Sequence, residues 1–276
     1  MANPGSGSGA CDPADVAERL RALGAEVETF EIDEAERAAT AGADRIAVAG
    51  GDGSIAPAAV AAGSAGVPLA VIPAGTANDF AHRMELPLDV DEACRLAVHG
   101  TQADAIELGW MDDRPFVNVA SAGLPGPAAR TAKAWKRPLG TLGYAAGALA
   151  AGVTAAPVPV RVTCGDETLF EGEAWQVTFA ASGAFGAGVR IEEADPRDGA
   201  LEVVAVEAGP RLGLVGLAYR LRSGSLGEHR RARRSRCGTA ELHVPPGTEF
   251  NVDGELVESG PAAFRGEPAA FRLIVA

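Results

Sequence analysis

The sequence predicts an α/β N-terminal domain built on a mostly parallel sheet, over residues 1–103, followed by a β-rich domain, an antiparallel sandwich, over 104–276. Three observations carry this. Strand and helix patterns alternate through the first hundred residues, as in parallel α/β proteins. From about Asp104 strand patterns dominate, with few helical signals between them. Two buried strands run directly into Gly-rich turns, and ligands of parallel sheets bind at such carboxyl ends. A length of 276 residues suits one large domain or two modest ones, and the last residues are free to return to the first domain.

The elements follow in order. Asp12–Leu23 reads as a helix: Pro13 suits its first turn, and Val16, Leu20 and Leu23 share a face. Glu26–Ile32 alternates roughly like a strand, and Glu34–Ala41 reads as a short helix. Arg45–Ala49 is a buried strand that ends in Gly50-Gly51-Asp52-Gly53-Ser54, with a helix through Ala56–Ala62. Val67–Ile72 repeats the arrangement and ends in Pro73-Ala74-Gly75-Thr76. Helices follow from Asn78-Asp79 to Met84 and over Asp91–Val98. Further strands are expected at Phe116–Ala120, Val158–Cys164, Ala174–Ala180, Leu201–Val206, Ala240–Val244, Glu249–Val252 and Ala270–Val275. Helical signals persist at Gly140–Ala151 and Arg211–Arg222. The run Asn3-Pro4-Gly5-Ser6-Gly7 looks like a loop after a first strand, yet a parallel sheet wants about five more apolar residues before it. Either translation starts further upstream, or the sequence is shortened, or the sheet lacks that strand.

Composition narrows the function. Apolar residues make up 47% and charged residues 22%, which excludes disordered and collagen-like chains. The net charge of -13 repels polyphosphate, and 5% aromatics cannot build a base-stacking platform, so nucleic acid is not expected as a partner. A bound anion must therefore be held by a local site, a metal ion or backbone N–H groups. Lys133 and Lys136 are the only lysines, so a P-loop lysine is absent from the first 130 residues. Cys11, Cys94, Cys164 and Cys237 are widely spaced, without a CxxC pair, and read as thiols in a reducing cytosol. The N-terminus shows no signal-peptide pattern, and the apolar run Gly143–Ala156 is too short to span a bilayer. A cytoplasmic location with transient membrane association is expected, and a homodimer stays open.

Three motifs carry chemistry. Glycines at Gly50, Gly51 and Gly53 let a phosphate approach the backbone, and the following helix start supplies N–H donors; a plain tight turn is the alternative. Asp52 would repel a phosphate unless a divalent cation lay between them. Pro73–Phe80 offers a second such loop one strand later, where Asn78 or Asp79 could instead simply cap the next helix. Two such loops at neighbouring strand ends argue for a nucleotide phosphate site with carboxylate-held Mg²⁺. Asn251-Val252-Asp253-Gly254-Glu255 is either a hairpin or a pair of carboxylates serving as general base and metal partner. His82, His99, His229 and His243 form no metal or triad spacing.

These segments, in this order and spacing, resemble the diacylglycerol kinase catalytic-domain family, and within it the bacterial branch of soluble lipid kinases, related to sphingosine kinases. The Gly-Thr-x-Asn-Asp-Phe run of Gly75–Phe80 is the specific part. A bare Gly-Gly-Asp-Gly also occurs in NAD kinases and phosphofructokinases, which share a related nucleotide fold. The resemblance implies an ATP- and Mg²⁺-dependent kinase acting on a lipid hydroxyl at a membrane surface, with diacylglycerol the leading acceptor. Sphingoid bases, phosphatidylglycerol or NAD are alternative acceptors, and a non-catalytic nucleotide- or lipid-binding relative is the other reading. It implies that Asn3 and Ser6 lie beside the nucleotide, that Gly50, Gly51, Asp52, Gly53 and Ser54 form the phosphate loop, and that Thr76, Asn78 and Asp79 line the site. Asp79, Asp52 and Glu255 would serve the metal, and Asp253 would take the proton from the acceptor. Asp195-Pro196-Arg197-Asp198-Gly199-Ala200 resembles the family's structural Mg²⁺ loop, with ligands from Asp195, Asp198 and Ala200; a β-turn is the alternative.

Four departures stand out. Ser54 replaces the family's usual Thr, and Glu107 stands where an Asp is usual. Ala120–Arg130 is unusually rich in Pro and Gly, and the first strand is missing. Separately, His229–Arg236 packs five arginines into eight residues. They form either a patch for anionic headgroups or a solvated strand edge that discourages aggregation.

Overall fold

The computed structural model describes residues 1, 12–123, 156–184, 191, 194–210 and 229–276. The chain divides into two units. Unit 1 comprises Met1–Leu108, Pro196–Gly199 and Glu267–Ala276; unit 2 comprises Gly109–Asp195 and Ala200–Gly266. The elements of the first part are α1 (Pro13–Ala22), α2 (Ala35–Thr40), β1 (Ile46–Gly50), α3 (Asp52–Ala65), β2 (Pro68–Pro73), α4 (Asp79–Arg83) and α5 (Val90–His99). Strands follow: β3 (Gln102–Met111), β4 (Arg114–Phe116), β5 (Val119–Gly123), β6 (Val158–Cys164), β7 (Glu167–Ala180) and β8 (Leu201–Glu207). The last are β9 (Ala232–Cys237), β10 (Thr239–His243), β11 (Thr248–Val252), β12 (Glu255–Ser259) and β13 (Ala262–Val275). The helices expected at Gly140–Ala151 and Arg211–Arg222 lie outside the described residues.

Unit 1 is the parallel α/β body. β1 pairs parallel with β2 from Ile46↔Leu69 to Gly50↔Pro73. β2 pairs parallel with the end of β13 at Arg272↔Pro68 and Leu273↔Leu69. Helices on both faces explain the burial: Val48, Leu69 and Ile72 are fully enclosed, and β2 is buried from Leu69 to Pro73 without alternation. The helices start where their sequence allows. The Asp12 carboxylate accepts from Ala14 N at 2.9 Å to cap α1, and the Asp89 carboxylate accepts from Glu92 N at 3.0 Å to cap α5. Val16, Leu20, Ala93 and Ala97 then pack with Ala70 and Ile72.

The strand expected over Glu26–Ile32 does not form a ladder. The stretch is irregular and leads into a 3₁₀ turn at Ile32–Glu34. Val27 still packs against the helical cluster, and its carbonyl accepts from the Arg21 guanidinium at 3.0 Å. Its apolar alternation therefore records side-chain burial rather than strand pairing. Met1 lies against β1: its ammonium donates to Ala47 O at 2.6 Å, and its carbonyl accepts from Ala49 N at 2.9 Å. A cavity of about 1150 Å³ follows this flank, lined by Met1, Leu20, Val27, Phe30, Ala47 and Ile72. It shares no residue with either Gly-rich loop.

Unit 2 is antiparallel. The strand order is β10-β6-β7-β5-β11-β12, with β8 on β7 and β9 on β8. The long strand β7 pairs along β6 and, in its second half, with β5 and β8. Its main apolar cluster holds the Phe179 and Phe264 rings, stacked with centroids 3.6 Å apart, and Phe250 6.4 Å from Phe264; a second cluster gathers Val119, Trp175, Val204 and Val206. The expected strand at Phe116–Ala120 is broken into β4 and β5. The amides of Val117, Asn118 and Val119 at the break all turn to one carboxylate, described below.

The expectation of isolated thiols is corrected by Cys164 and Cys237, which form a disulfide with Cα atoms 5.7 Å apart. Their separation of 73 residues hides the pairing in the sequence; the antiparallel ladder of β10 on β6, with Ala240 opposite Cys164 and Gly165 N donating to Thr239 O, brings Cys237 alongside. Closing a loop of that length constrains the unfolded chain, so Cys164→Ser with Cys237→Ser should lower stability by about 2–4 kcal/mol. Urea denaturation checks this, and the difference from wild type should vanish under reducing conditions. Cys94 is buried in the helical cluster of unit 1. Among the described residues no helix is long and apolar enough to cross a membrane.

Candidate active site

The two Gly-rich loops meet at the carboxyl ends of β1 and β2. Gly50 O accepts from Ala74 N at 2.9 Å, which locks the loops together at their roots. The glycines are needed for this approach. A Cβ on Gly75 would lie 2.4 Å from Gly51 Cα, and one on Gly51 would lie 3.2 Å from Gly75 Cα. Gly51 is the extended residue before α3, and Ser54 is buried in its first turn with its amide donating to Gly51 O at 2.9 Å. With 14 residues, α3 presents a full helix N-terminus at this loop, the geometry that favours a phosphate.

The second loop is closed by its own side chain. Asn78 sits at φ 51, its Oδ1 accepts from Gly75 N at 2.9 Å, and its Nδ2 donates to Gly75 O at 3.2 Å. Sequence reasoning offered Asn78 or Asp79 as the cap of α4. The structure gives that task to Asp52 of the other loop, whose Oδ1 accepts from Phe80 N at 2.8 Å and Oδ2 from Asp79 N at 3.2 Å. Asp52 thereby ties the start of α3 to the start of α4. Thr76 is exposed beside it. Gly53 completes the first loop within α3. Asn3 and Ser6 lie outside the described residues.

In unit 2 the Asp253 carboxylate accepts three backbone N–H bonds: Oδ2 from Val117 at 2.7 Å, and Oδ1 from Asn118 at 2.9 Å and Val119 at 3.0 Å. Asp253 has φ 47, and Gly254 follows at φ 90, so the turn from β11 to β12 aims this side chain at the β4–β5 break. The hairpin reading is thus correct for the backbone, and the side chain has a fixed target as well. Glu255 points elsewhere: it is exposed and lies 3.5 Å from the Arg114 guanidinium.

The turn at 195–200 is held by protein groups. Within unit 1, Glu107 is buried; its amide donates to Pro196 O at 2.9 Å and its Oε2 accepts from Gly199 N at 2.5 Å. Arg197 grips the Asp104 carboxylate through Nε at 3.2 Å and a terminal nitrogen at 2.7 Å. Gly199, at φ 75, packs against Pro268. The middle of this turn, Asp198 included, belongs to unit 1, whereas Asp195 and Ala200 belong to unit 2. Glu107 was legible only as a departure from the family pattern; its burial and its hold on Gly199 were not.

Sequence reasoning also missed a polar pair beside Asp253: the Ser182 hydroxyl donates to Asn118 Oδ1 at 2.7 Å. The Gln176 amide nitrogen donates to Thr178 at 2.7 Å in the same strand β7. Polar residues inside apolar strand patterns are the signal that finds them. Among the described residues no group of three or more His, Cys, Asp or Glu side chains is gathered for a metal ion. The paired loops fit nucleotide phosphates, because only glycine at 51 and 75 leaves the backbone this open. Mg²⁺ needs no protein cage, since one or two carboxylates with substrate phosphates and waters suffice, and Asp52 and Asp79 fit that smaller role.

A family model for the diacylglycerol kinase catalytic domain matches residues 1–110, and one for the YegS C-terminal NAD kinase beta sandwich-like domain matches residues 118–275. The chain belongs to the diacylglycerol kinase family. Within that family it is 32% identical, over 260 residues, to a protein of Pseudomonas putida named as a YegS-like lipid kinase, covering 89% of this chain and 83% of the relative. It is 27% identical to a diacylglycerol kinase of Mycobacterium tuberculosis, covering 84% of this chain and 77% of the relative. The fold matches a solved diacylglycerol kinase structure from Bacillus anthracis, with a TM-score of 0.75 at 20% identity, covering 100% of this chain and 95% of the other. An NAD kinase from Archaeoglobus fulgidus, solved in complex with ATP, shares the fold more distantly, with a TM-score of 0.55 at 13% identity and coverage of 99% and 92%. The expected parallel α/β body with an antiparallel second part, related to NAD kinases, is therefore the fold of this protein.

Proposed function

We propose that this family member transfers the γ-phosphoryl group of ATP to a lipid hydroxyl, with diacylglycerol as acceptor and phosphatidic acid as product. The observation that carries the reading is the close approach of Gly51 and Gly75 at the start of α3, where a Cβ on Gly75 would collide with the Gly51 backbone and one on Gly51 would crowd Gly75. Gly50, Gly51 and Gly53 hold the nucleotide phosphates with backbone amides and the helix dipole, and Ser54, whose amide donates to Gly51 O, closes the turn beneath them. Thr76 and Asn78 shape the second loop, and Asp52 keeps the two loops in register through the amides of Asp79 and Phe80. A divalent cation bound with ATP would neutralise charge on the transferring group, and we assign Asp79 and Asp52 to holding its waters. Glu255 and the turn residues Asp195, Asp198 and Ala200 are further metal candidates by family resemblance.

Phosphoryl transfer passes through a loose transition state, so positioning and charge neutralisation matter more than strong base catalysis. Asp253 suits such a reaction. Its carboxylate is fixed in direction by three amides, and we assign it to orienting the acceptor hydroxyl and taking its proton late.

The test is transfer of labelled γ-phosphate from ATP-Mg²⁺ into a panel of diacylglycerol, a sphingoid base, phosphatidylglycerol and NAD. Label in phosphatidic acid supports the full reading. Label in another lipid keeps the kinase and replaces the acceptor. Label in NAD, or none in any acceptor, overturns the lipid-kinase reading.

A further inference from the structure

The arginine-rich segment that reads as a loop or edge in the sequence is strand β9, whose ladder partner is β8. Its register places Ala205 opposite Arg233, Val204 opposite Arg234 and Glu202 opposite Arg236. Strand alternation therefore sends Arg233 to one face and Arg234 and Arg236 to the other. Arg230, Arg233, Arg234 and Arg236 are all exposed. Arg231 differs: it is half-buried, donates to Ala208 O at 3.4 Å and lies over Gly209, so it serves the fold. On β8 the acidic residues are Glu202, which is buried, and Glu207, which meets Arg233 at 3.6 Å with both side chains about half exposed.

Charged side chains guard a strand edge against self-pairing. Among the described residues β9 pairs only with β8, and Arg233, Arg234 and Arg236 are exposed on its two faces, with Arg230 exposed in the turn before it. They come from a chain with 24 basic side chains against 37 acidic ones, so the positive charge is concentrated while the rest of the molecule is acidic. Such a molecule is repelled by an anionic surface in most orientations and attracted in one. We propose that β9 is an electrostatic docking strip for the anionic headgroups of a lipid bilayer. The choice of a membrane as partner rests on the lipid-kinase reading, because an enzyme of that kind meets its acceptor in a bilayer. The strip is not part of the phosphate site.

The experiment is flotation of the full chain with phosphatidylcholine vesicles, with and without phosphatidylglycerol, at low and high salt and without ATP. Each arginine near an anionic surface contributes about fivefold in partitioning. Changing Arg230, Arg233, Arg234 and Arg236 to Gln should reduce binding to the anionic vesicles about six-hundredfold, whereas the same four changed to Lys should retain most of it. High salt should abolish wild-type binding. Both variants should match wild type in phosphoryl transfer to a detergent-dispersed acceptor. Equal binding by the Gln variant and wild type, salt-independent binding, or tighter binding to a short RNA than to the vesicles overturns the strip. Wild type that binds vesicles through these arginines yet phosphorylates no lipid keeps the strip and overturns the lipid-kinase reading. The two failures are therefore distinguishable.

Discussion

Asp253→Ala should abolish phosphoryl transfer and also lower stability by about 3 kcal/mol or more, because three amides lose their acceptor at once. The amides belong to Val117, Asn118 and Val119, whose residues are almost fully enclosed, so water replaces the carboxylate poorly. Alanine at φ 47 adds backbone strain, which asparagine tolerates better. Asp253→Asn therefore separates the two roles. One half of its amide group can still accept from the β4–β5 break, while the other presents a donor to a donor and cannot take a proton. Turnover per folded molecule should fall at least about a hundredfold in this variant, with a smaller stability loss than for Ala. Urea denaturation gives the folded fraction, and initial rates give the turnover. If Asp253→Asn loses stability but keeps normal turnover per folded molecule, Asp253 is a structural clip and not the proton acceptor.

Gly75→Ala should be the most damaging single methyl group in the two Gly-rich loops. Its Cβ would lie 2.4 Å from Gly51 Cα and 2.8 Å from Asn78 Oδ1, and the nearer neighbour is backbone with no rotamer to give way. The loops must part, which breaks the bond from Ala74 N to Gly50 O or moves the start of α3. We expect a stability loss of about 2–4 kcal/mol and ATP affinity reduced more than about tenfold. Gly42→Ala is the control: it has φ 74 but open space around it, so it should cost about 1 kcal/mol and leave ATP affinity unchanged. Thermal denaturation and equilibrium binding of labelled ATP check both. Equal effects of the two substitutions would show that Gly75 matters for its backbone alone and not for the approach of the loops.

The parts of this fold that the sequence reveals are those where a local pattern coincides with a local cause. β1 and β2 are short apolar runs bounded by Gly-rich turns, and α5 has a capping Asp89 and a periodic face. The failures are non-local. β9 is hidden because its side chains are set by a surface and not by a core. Phe116–Ala120 looks continuous, and only a carboxylate more than 130 residues away breaks it into β4 and β5. The cap of α4 could not be assigned from its own neighbours, because it comes from Asp52, 27 residues before Asp79. The same rule separates the site residues. Gly50, Gly51, Gly75 and Asp79 are placed together by neighbouring parallel strands and were legible as a group. Glu107 and the Asn118–Ser182 pair act through tertiary contacts: a polar residue in an apolar pattern marks each position but does not name its partner.

The most direct test of the phosphate site is amide hydrogen exchange with and without ATP-Mg²⁺. The account predicts slowed exchange at Gly50–Ser54 and at Ala74–Phe80, the two loops joined through Gly51 and Gly75. Protection confined to the flank of β1, along the cavity lined by Met1, Val27 and Ala47, with both loops unchanged, would contradict it.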